Sequence, residues 1–152
     1  WRVDGADLSP LALELARARA QAAGVDSRFR RLDAVADPLP PGYDVVVSSL
    51  FFHHIDGPDV VAVLGRIRDA AAGAVINDLR RGRVALAATA MGVHFLTRSP
   101  VVHTDGPRSV RAAWTIAEIR SLAARAHLAG TEVRRAFPLR WTLTWRREAR
   151  GG

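Results

Sequence analysis

The stretch Tyr43-Asp44-Val45-Val46-Val47-Ser48-Ser49-Leu50-Phe51-Phe52-His53-His54-Ile55 constrains this chain more than any other. Three β-branched residues in succession predict a strand buried on both faces. The strand gives out at two serines and runs into aromatics and a histidine pair. Asp56-Gly57-Pro58 then opens a helix. A buried strand that ends in polar residues and turns into a helix is the unit from which an open α/β sheet builds a site. Such sites lie outside the carboxyl ends of the strands.

The flanking sequence repeats this alternation. Arg2 to Asp7 reads as a short strand with Val3 inward. Ser9 is a good N-cap, and Pro10 suits the first helical position. Leu11, Leu15 and Ala18 then share a helical face, and Gly24 closes the helix. Ser27 to Leu32 is a second strand, interrupted by arginines, that ends at Asp33-Ala34. Beyond the opening stretch, Asp59 to Ala71 carries Val60, Leu64 and Ile67 on one helical face. Ala74-Val75-Ile76 is another buried strand, ending at Asn77-Asp78. Val84 to Leu96 is apolar enough for a largely buried helix.

Arg98 to Ala113 is a long polar loop, of a length that is often functional inside a compact domain. Thr115 and Glu118 form a capping box ahead of Ile119, Leu122, Ala123 and Ala126. Glu132 to Phe137 and Arg140 to Arg146 are two strands joined by Pro138-Leu139. In the second, Trp141, Leu143 and Trp145 alternate with Arg140, Thr142 and Thr144. The short connection predicts an antiparallel hairpin. Alternating strands and helices predict an α/β fold: a doubly wound, mainly parallel sheet with a C-terminal antiparallel hairpin. Residues 1–147 are expected to form one domain and residues 148–152 a frayed tail.

Composition narrows the function classes. With 152 residues, 49% of them apolar, the chain has enough material for one core. It has no cysteine, which excludes disulfides and thiolate metal sites. The longest uncharged run, Val84 to Leu96, is shorter than the ~20 residues that span a bilayer. No secretory signal is visible, and a soluble, cytoplasmic protein is expected. The net charge is +7, and every basic residue is arginine. A nucleic-acid surface is one reading. The arginines are scattered over every segment, which favours compositional bias and argues against nucleic acid.

Three motifs, in order, carry a resemblance. Val3-Asp4-Gly5-Ala6-Asp7-Leu8-Ser9-Pro10 with Leu13 and Ala16-Arg17 resembles the second-strand motif of class I S-adenosylmethionine-dependent methyltransferases. Asp33-Ala34 with Leu39-Pro40 resembles their third-strand motif. Tyr43 to Ser49 with His53-His54-Ile55 resembles their fourth. The resemblance covers residues 2 to 80 well and the remainder in architecture alone. It implies a Rossmann-like fold, S-adenosyl-L-methionine as cofactor, and methyl transfer as the activity. Ile76-Asn77-Asp78-Leu79-Arg80-Arg81, with His103, Asp105-Gly106 and Ser109-Val110, resembles a bacterial subgroup that accompanies polyketide or quinone-like biosynthesis. That implies a small-molecule acceptor, aromatic, polyketide or quinone-like. The family's first strand and glycine-rich loop precede the second-strand motif and have no counterpart here. In the family that strand lies between the strands placed at Val3 and Val45. An amino-terminally truncated domain, poor at binding cofactor by itself, is therefore expected.

The resemblance also implies roles. Asp7 would accept from ribose hydroxyls, because a carboxylate is acceptor-only with two oxygens; otherwise it serves the helix N-terminus beginning at Pro10. Leu8 would pack on the adenine face or be core. Asp33 would accept from the adenine amino group with Ala34 leaving room for the ring, or be a loop acid. Ser49, with Ser48, would meet the methionine end of the cofactor, or satisfy local backbone groups. His53 and His54 are adjacent, so an extended backbone cannot aim both at one pocket. One is expected to be structural and the other a general base. His103, with Asp105, is a further candidate to orient or deprotonate an acceptor. The histidine spacing matches no metal-ligand pair. Trp114, Trp141 and Trp145 are expected to pack rather than to form an aromatic cage. Two rivals remain: a nicotinamide-dependent dehydrogenase, which also uses an acid at Asp7's position, and a non-catalytic basic binding module.

Overall fold

The computed structural model describes residues 2–82 and 112–148. The predicted helix at Val84–Leu96, most of the loop that follows, and His103 lie outside these residues, as do residues 149–152. The chain divides into two compact units, Trp1–Pro38 and Leu39–Gly152.

The first unit is a β-α-β element. Strand β1 (Val3–Asp7) and strand β2 (Ser27–Arg31) pair in parallel, with Asp7 opposite Arg31. Helix α1 (Pro10–Ala22) crosses between them, as the sequence predicted. Ser9 caps it by accepting from Ala12 N–H at 3.3 Å. Gly24, at φ +65°, closes it in the left-handed region that favours glycine. The face that packs differs from the expected one. Leu13 is buried, with Ala16 and Ala20 half-buried on its stripe, whereas Leu11 and Leu15 are exposed. Both stripes have helical spacing, so the apolar pattern alone could not choose between them. Val3, expected inward, is 57% exposed. Gly5 is required where it stands: a Cβ there would lie 2.6 Å from the Phe29 ring on β2.

The second unit holds strands β3 (Val46–Ser49), β4 (Gly73–Leu79), β5 (Glu132–Ala136) and β6 (Arg140–Arg146) in the order β3-β4-β6-β5. β3 and β4 are parallel; β6 runs antiparallel to β4 and to β5. The C-terminal hairpin is thus present, with β6 as the inner strand. Helices α2 (Gly57–Ala70) and α3 (Ile116–Arg125) pack against the sheet and each other. They bring Val60, Leu64, Ile67, Ile119 and Leu122 onto Ile76, Trp141 and Leu143, all buried. The period-two reading of β6 and the face assigned to α2 both hold.

The capping box also forms. Thr115 Oγ1 accepts from Glu118 N–H at 3.2 Å, and Glu118 Oε2 accepts from Thr115 N–H at 2.8 Å. Thr115→Ala is expected to cost about 1 kcal/mol in denaturant unfolding, with the midpoint moved and the slope unchanged.

One sequence expectation fails here. β3 is not buried on both faces: Val47 is 69% exposed and Val45, just outside the strand, 44%. Val47 lies beside Val75, itself 38% exposed, because α2 and α3 cover the other face of the sheet. β1 pairs with β2 alone and β3 with β4 alone among the described strands, so the two parallel pairs stand in separate sheets.

Candidate functional site

In the first unit the carboxyl ends of β1 and β2 lie side by side, since the strands are parallel. Asp7 ends β1 and Asp33-Ala34 follows β2 by two residues. The unit thus gathers Asp7, Leu8, Asp33 and Ala34 at one edge. Asp7 Oδ1 accepts from Ser9 N–H at 2.8 Å, which fixes the carboxylate at the mouth of α1. Asp7 and Leu8 are exposed, Leu8 at 51%. Leu8 is therefore not core. Asp33 Oδ1 accepts from Val35 N–H at 2.9 Å and Ala36 N–H at 3.3 Å, while Asp33 N–H donates to Asp37 Oδ2 at 2.9 Å. This tight turn gives Asp33 a structural duty through one oxygen. A carboxylate has about four acceptor positions, so both acids retain capacity for further donors.

In the second unit the carboxyl ends of β3 and β4 adjoin. Ser48 pairs with Ile76, half-buried; Ser49 pairs with Asn77 and is exposed. The chain then turns sharply. Leu50 takes φ +57° and donates its N–H to Asn77 O at 3.0 Å. A non-glycine residue there carries roughly 1 kcal/mol of strain or more. A 3-10 turn at Phe52–His54 follows, and Asp56 caps α2 by accepting from Asp59 N–H at 3.0 Å.

The residue that organises this turn is Asp78, near the end of β4 and 1% exposed. Its Oδ2 accepts from Phe51 N–H at 3.0 Å and Phe52 N–H at 2.6 Å. Its Oδ1 lies 2.6 Å from His53 Nδ1 and accepts from Leu79 N–H at 2.6 Å. Burial pushes the Asp78 carboxyl up, but the His53 and backbone hydrogen bonds outweigh it and hold the group below its ordinary value. The two histidines separate as adjacency required. His53 is buried on Asp78; His54 is exposed, its ring 3.9 Å from the His53 ring. Phe52 is fully buried, edge-on to Trp141, and its carbonyl accepts from Trp114 Nε1 at 2.8 Å.

Asp78 was not singled out as a site residue from sequence, although its parity was visible. It follows Ile76 by two positions on a strand and so shares that residue's inward face. A cleft of 530 Å³ lined by Asp44, Val45, Val75 and Thr144 lies at the opposite, amino-terminal ends of β3 and β4. It is at the wrong end of the sheet for a ligand site of this fold class. Among the described residues no group of three or more His, Asp or Glu side chains could hold a metal. Several arginines are bound to the chain's own carbonyls: Arg17 to Phe29, Arg68 to Ala126, Arg120 to Val133 and Arg147 to Ala71. No described helix is long and apolar enough to cross a membrane.

Residues 1–72 match the family model of the methyltransferase domain. No curated protein sequence matches the chain. Among solved structures, the chain is similar to the S-adenosylmethionine-dependent methyltransferase SibL in its apo form. The identity is 14%, the TM-score 0.69, and the match covers 97% of this chain and 50% of that one. It is similar to an O-methyltransferase family 2 protein from Planctomyces limnophilus in complex with apigenin (16% identity, TM-score 0.64, 97% and 43% covered). It is also similar to the O-methyltransferase NcsB1 from neocarzinostatin biosynthesis, in complex with S-adenosyl-L-homocysteine and 1,4-dihydroxy-2-naphthoic acid (20% identity, TM-score 0.64, 94% and 41% covered). The chain spans half or less of the length of these three. The fold is that of the Rossmann-like methyltransferases. Residues 1–72, just under half of the chain, are similar to the methyltransferase domain family.

Proposed function

We propose that this chain provides the S-adenosyl-L-methionine site of an enzyme that methylates a small-molecule acceptor, aromatic, polyketide or quinone-like. The observation that carries the reading is the exposed Asp7 carboxylate at the carboxyl end of β1, fixed by Ser9 N–H at the mouth of α1. Asp7 would accept from the ribose hydroxyls, Asp33 from the adenine amino group, with Leu8 and Ala34 against the ring. Ser48 and Ser49 would meet the methionine end. The donor set fits: both acids keep free acceptor capacity, and the serines sit at a strand end. The family match and the fold support methyl rather than hydride transfer. The acceptor class is supported by relatives bound to dihydroxynaphthoic acid and apigenin.

When bound, the cofactor supplies the methyl group and a sulfonium that leaves readily. The protein's part is then chiefly positioning, and a base matters where the acceptor arrives with its proton. His53 is committed to Asp78. Exposed His54, on the same turn, is the proton acceptor this reading prefers; His103 lies outside the described residues. The test is calorimetric titration of the full-length protein with S-adenosyl-L-homocysteine. Asp7→Ala is expected to weaken binding at least about tenfold, since charged hydrogen bonds are worth roughly 1.5–3 kcal/mol each. Unchanged affinity would remove the ribose assignment.

A further inference from the structure

Asp78 carries an inference beyond the family match. All four acceptor positions of its carboxylate are used: by Phe51 N–H, Phe52 N–H, Leu79 N–H and His53 Nδ1. Nothing is left for a substrate, so Asp78 can act only through other residues. The groups it holds are those that shape the turn leaving β3. That turn lies 25 to 27 residues away in sequence and is otherwise tied to β4 through Leu50 N–H on Asn77 O. Left-handed Leu50 makes the second attachment and directly precedes the residues that Asp78 holds. Ser49 precedes it and His54 follows. An ionised carboxylate accepts only, so His53 must present its Nδ1 proton.

We propose that Asp78 is a positioning residue of the cofactor site: it clamps the Ser49–His54 turn onto the end of β4 and locks His53 as the Nδ1–H tautomer. The proposal rests on the reading of Ser48 and Ser49 as cofactor contacts. Only a carboxylate can serve here. In Asp78→Asn the amide nitrogen must face donors on one side, either Phe51 and Phe52 N–H or Leu79 N–H and His53, and half the clamp opens while the shape is kept.

The test compares, in the full-length protein, wild type, Asp78→Asn and Leu143→Ala, a buried change on the same sheet face away from the turn. Asp78→Asn is expected to weaken S-adenosyl-L-homocysteine binding at least tenfold. Leu143→Ala, with a comparable fall in melting temperature, should stay within twofold. In nitrogen-edited NMR of the ligand-free protein, His53 should show a low-field Nδ1 proton that Asp78→Asn loses. If Asp78→Asn does not fold, Asp78→Ser carries the same comparison. Equal losses in both variants, or unchanged affinity in Asp78→Asn, would reduce Asp78 to a structural staple and overturn the proposal. A full-length wild-type protein that shows the His53 proton yet binds no S-adenosyl-L-homocysteine would overturn it together with the functional reading. That result is told apart by the failure of wild type rather than of the variant.

Discussion

Trp141→Ala should lower the free energy of unfolding by about 3–5 kcal/mol, read by circular dichroism in a denaturant series. Trp141 is fully buried on β6, opposite Asp78 and edge-on to Phe52 at a ring separation of 6.4 Å. Its removal leaves a cavity beneath both the sheet and the turn. Trp141→Phe should lose far less, within about 1 kcal/mol. The indole N–H has no hydrogen-bond partner among the described residues, and burying such a donor costs about 1–3 kcal/mol. Deleting it offsets much of the lost contact. Equal losses in the two variants would show that the N–H is satisfied in solution.

The second expected result concerns acid. Asp78 is held below its ordinary value in the folded chain, so the folded state favours its ionised form. The stability this contributes is fully present above the unfolded carboxyl pKa of about 3.9 and is lost as pH falls through the lower, folded value. Urea unfolding at a series of pH values should therefore show stability falling below about pH 4. Asp78→Asn should cost about 1–3 kcal/mol at neutral pH for each buried donor it leaves unpaired, and should flatten the acid limb. Glu118 shifts in the same direction. Burial raises it, and the Thr115 hydrogen bonds and the Arg81 guanidinium outweigh that. Its side chain is 39% exposed, so Glu118→Gln should flatten the limb much less. Parallel acid limbs for wild type and Asp78→Asn would show that Asp78 does not titrate with folding.

Local signals read well wherever one stretch of chain decides the outcome. Ser9-Pro10, Thr115 with Glu118, Asp56-Gly57-Pro58 and the alternation of Trp141, Leu143 and Trp145 all produced the elements they predict, because caps and strand parity depend on near neighbours. The strand ends at Asp7 and Ser49, and the turn at Asp33 just past β2, were legible for the same reason. Signals that need a second element failed. Leu11–Leu15 and Leu13–Ala16 are both helical stripes, and only packing against β1 and β2 chose the latter. Val45-Val46-Val47 matches a doubly buried strand, yet α2 and α3 cover one face of the sheet and leave Val47 exposed.

The opening stretch shows the same division at a single site. By itself the sequence determined that a strand would end at Ser48-Ser49, that a turn and a capped helix would follow, and that the two histidines could not share one direction. Which histidine turns inward, and what holds the turn, was decided by tertiary structure. The partner is a carboxylate on β4, brought alongside by parallel pairing of Ser49 with Asn77. A buried charge is tolerated there because four donors converge on it. Three of those four come from the turn itself, 25 to 27 residues away in sequence.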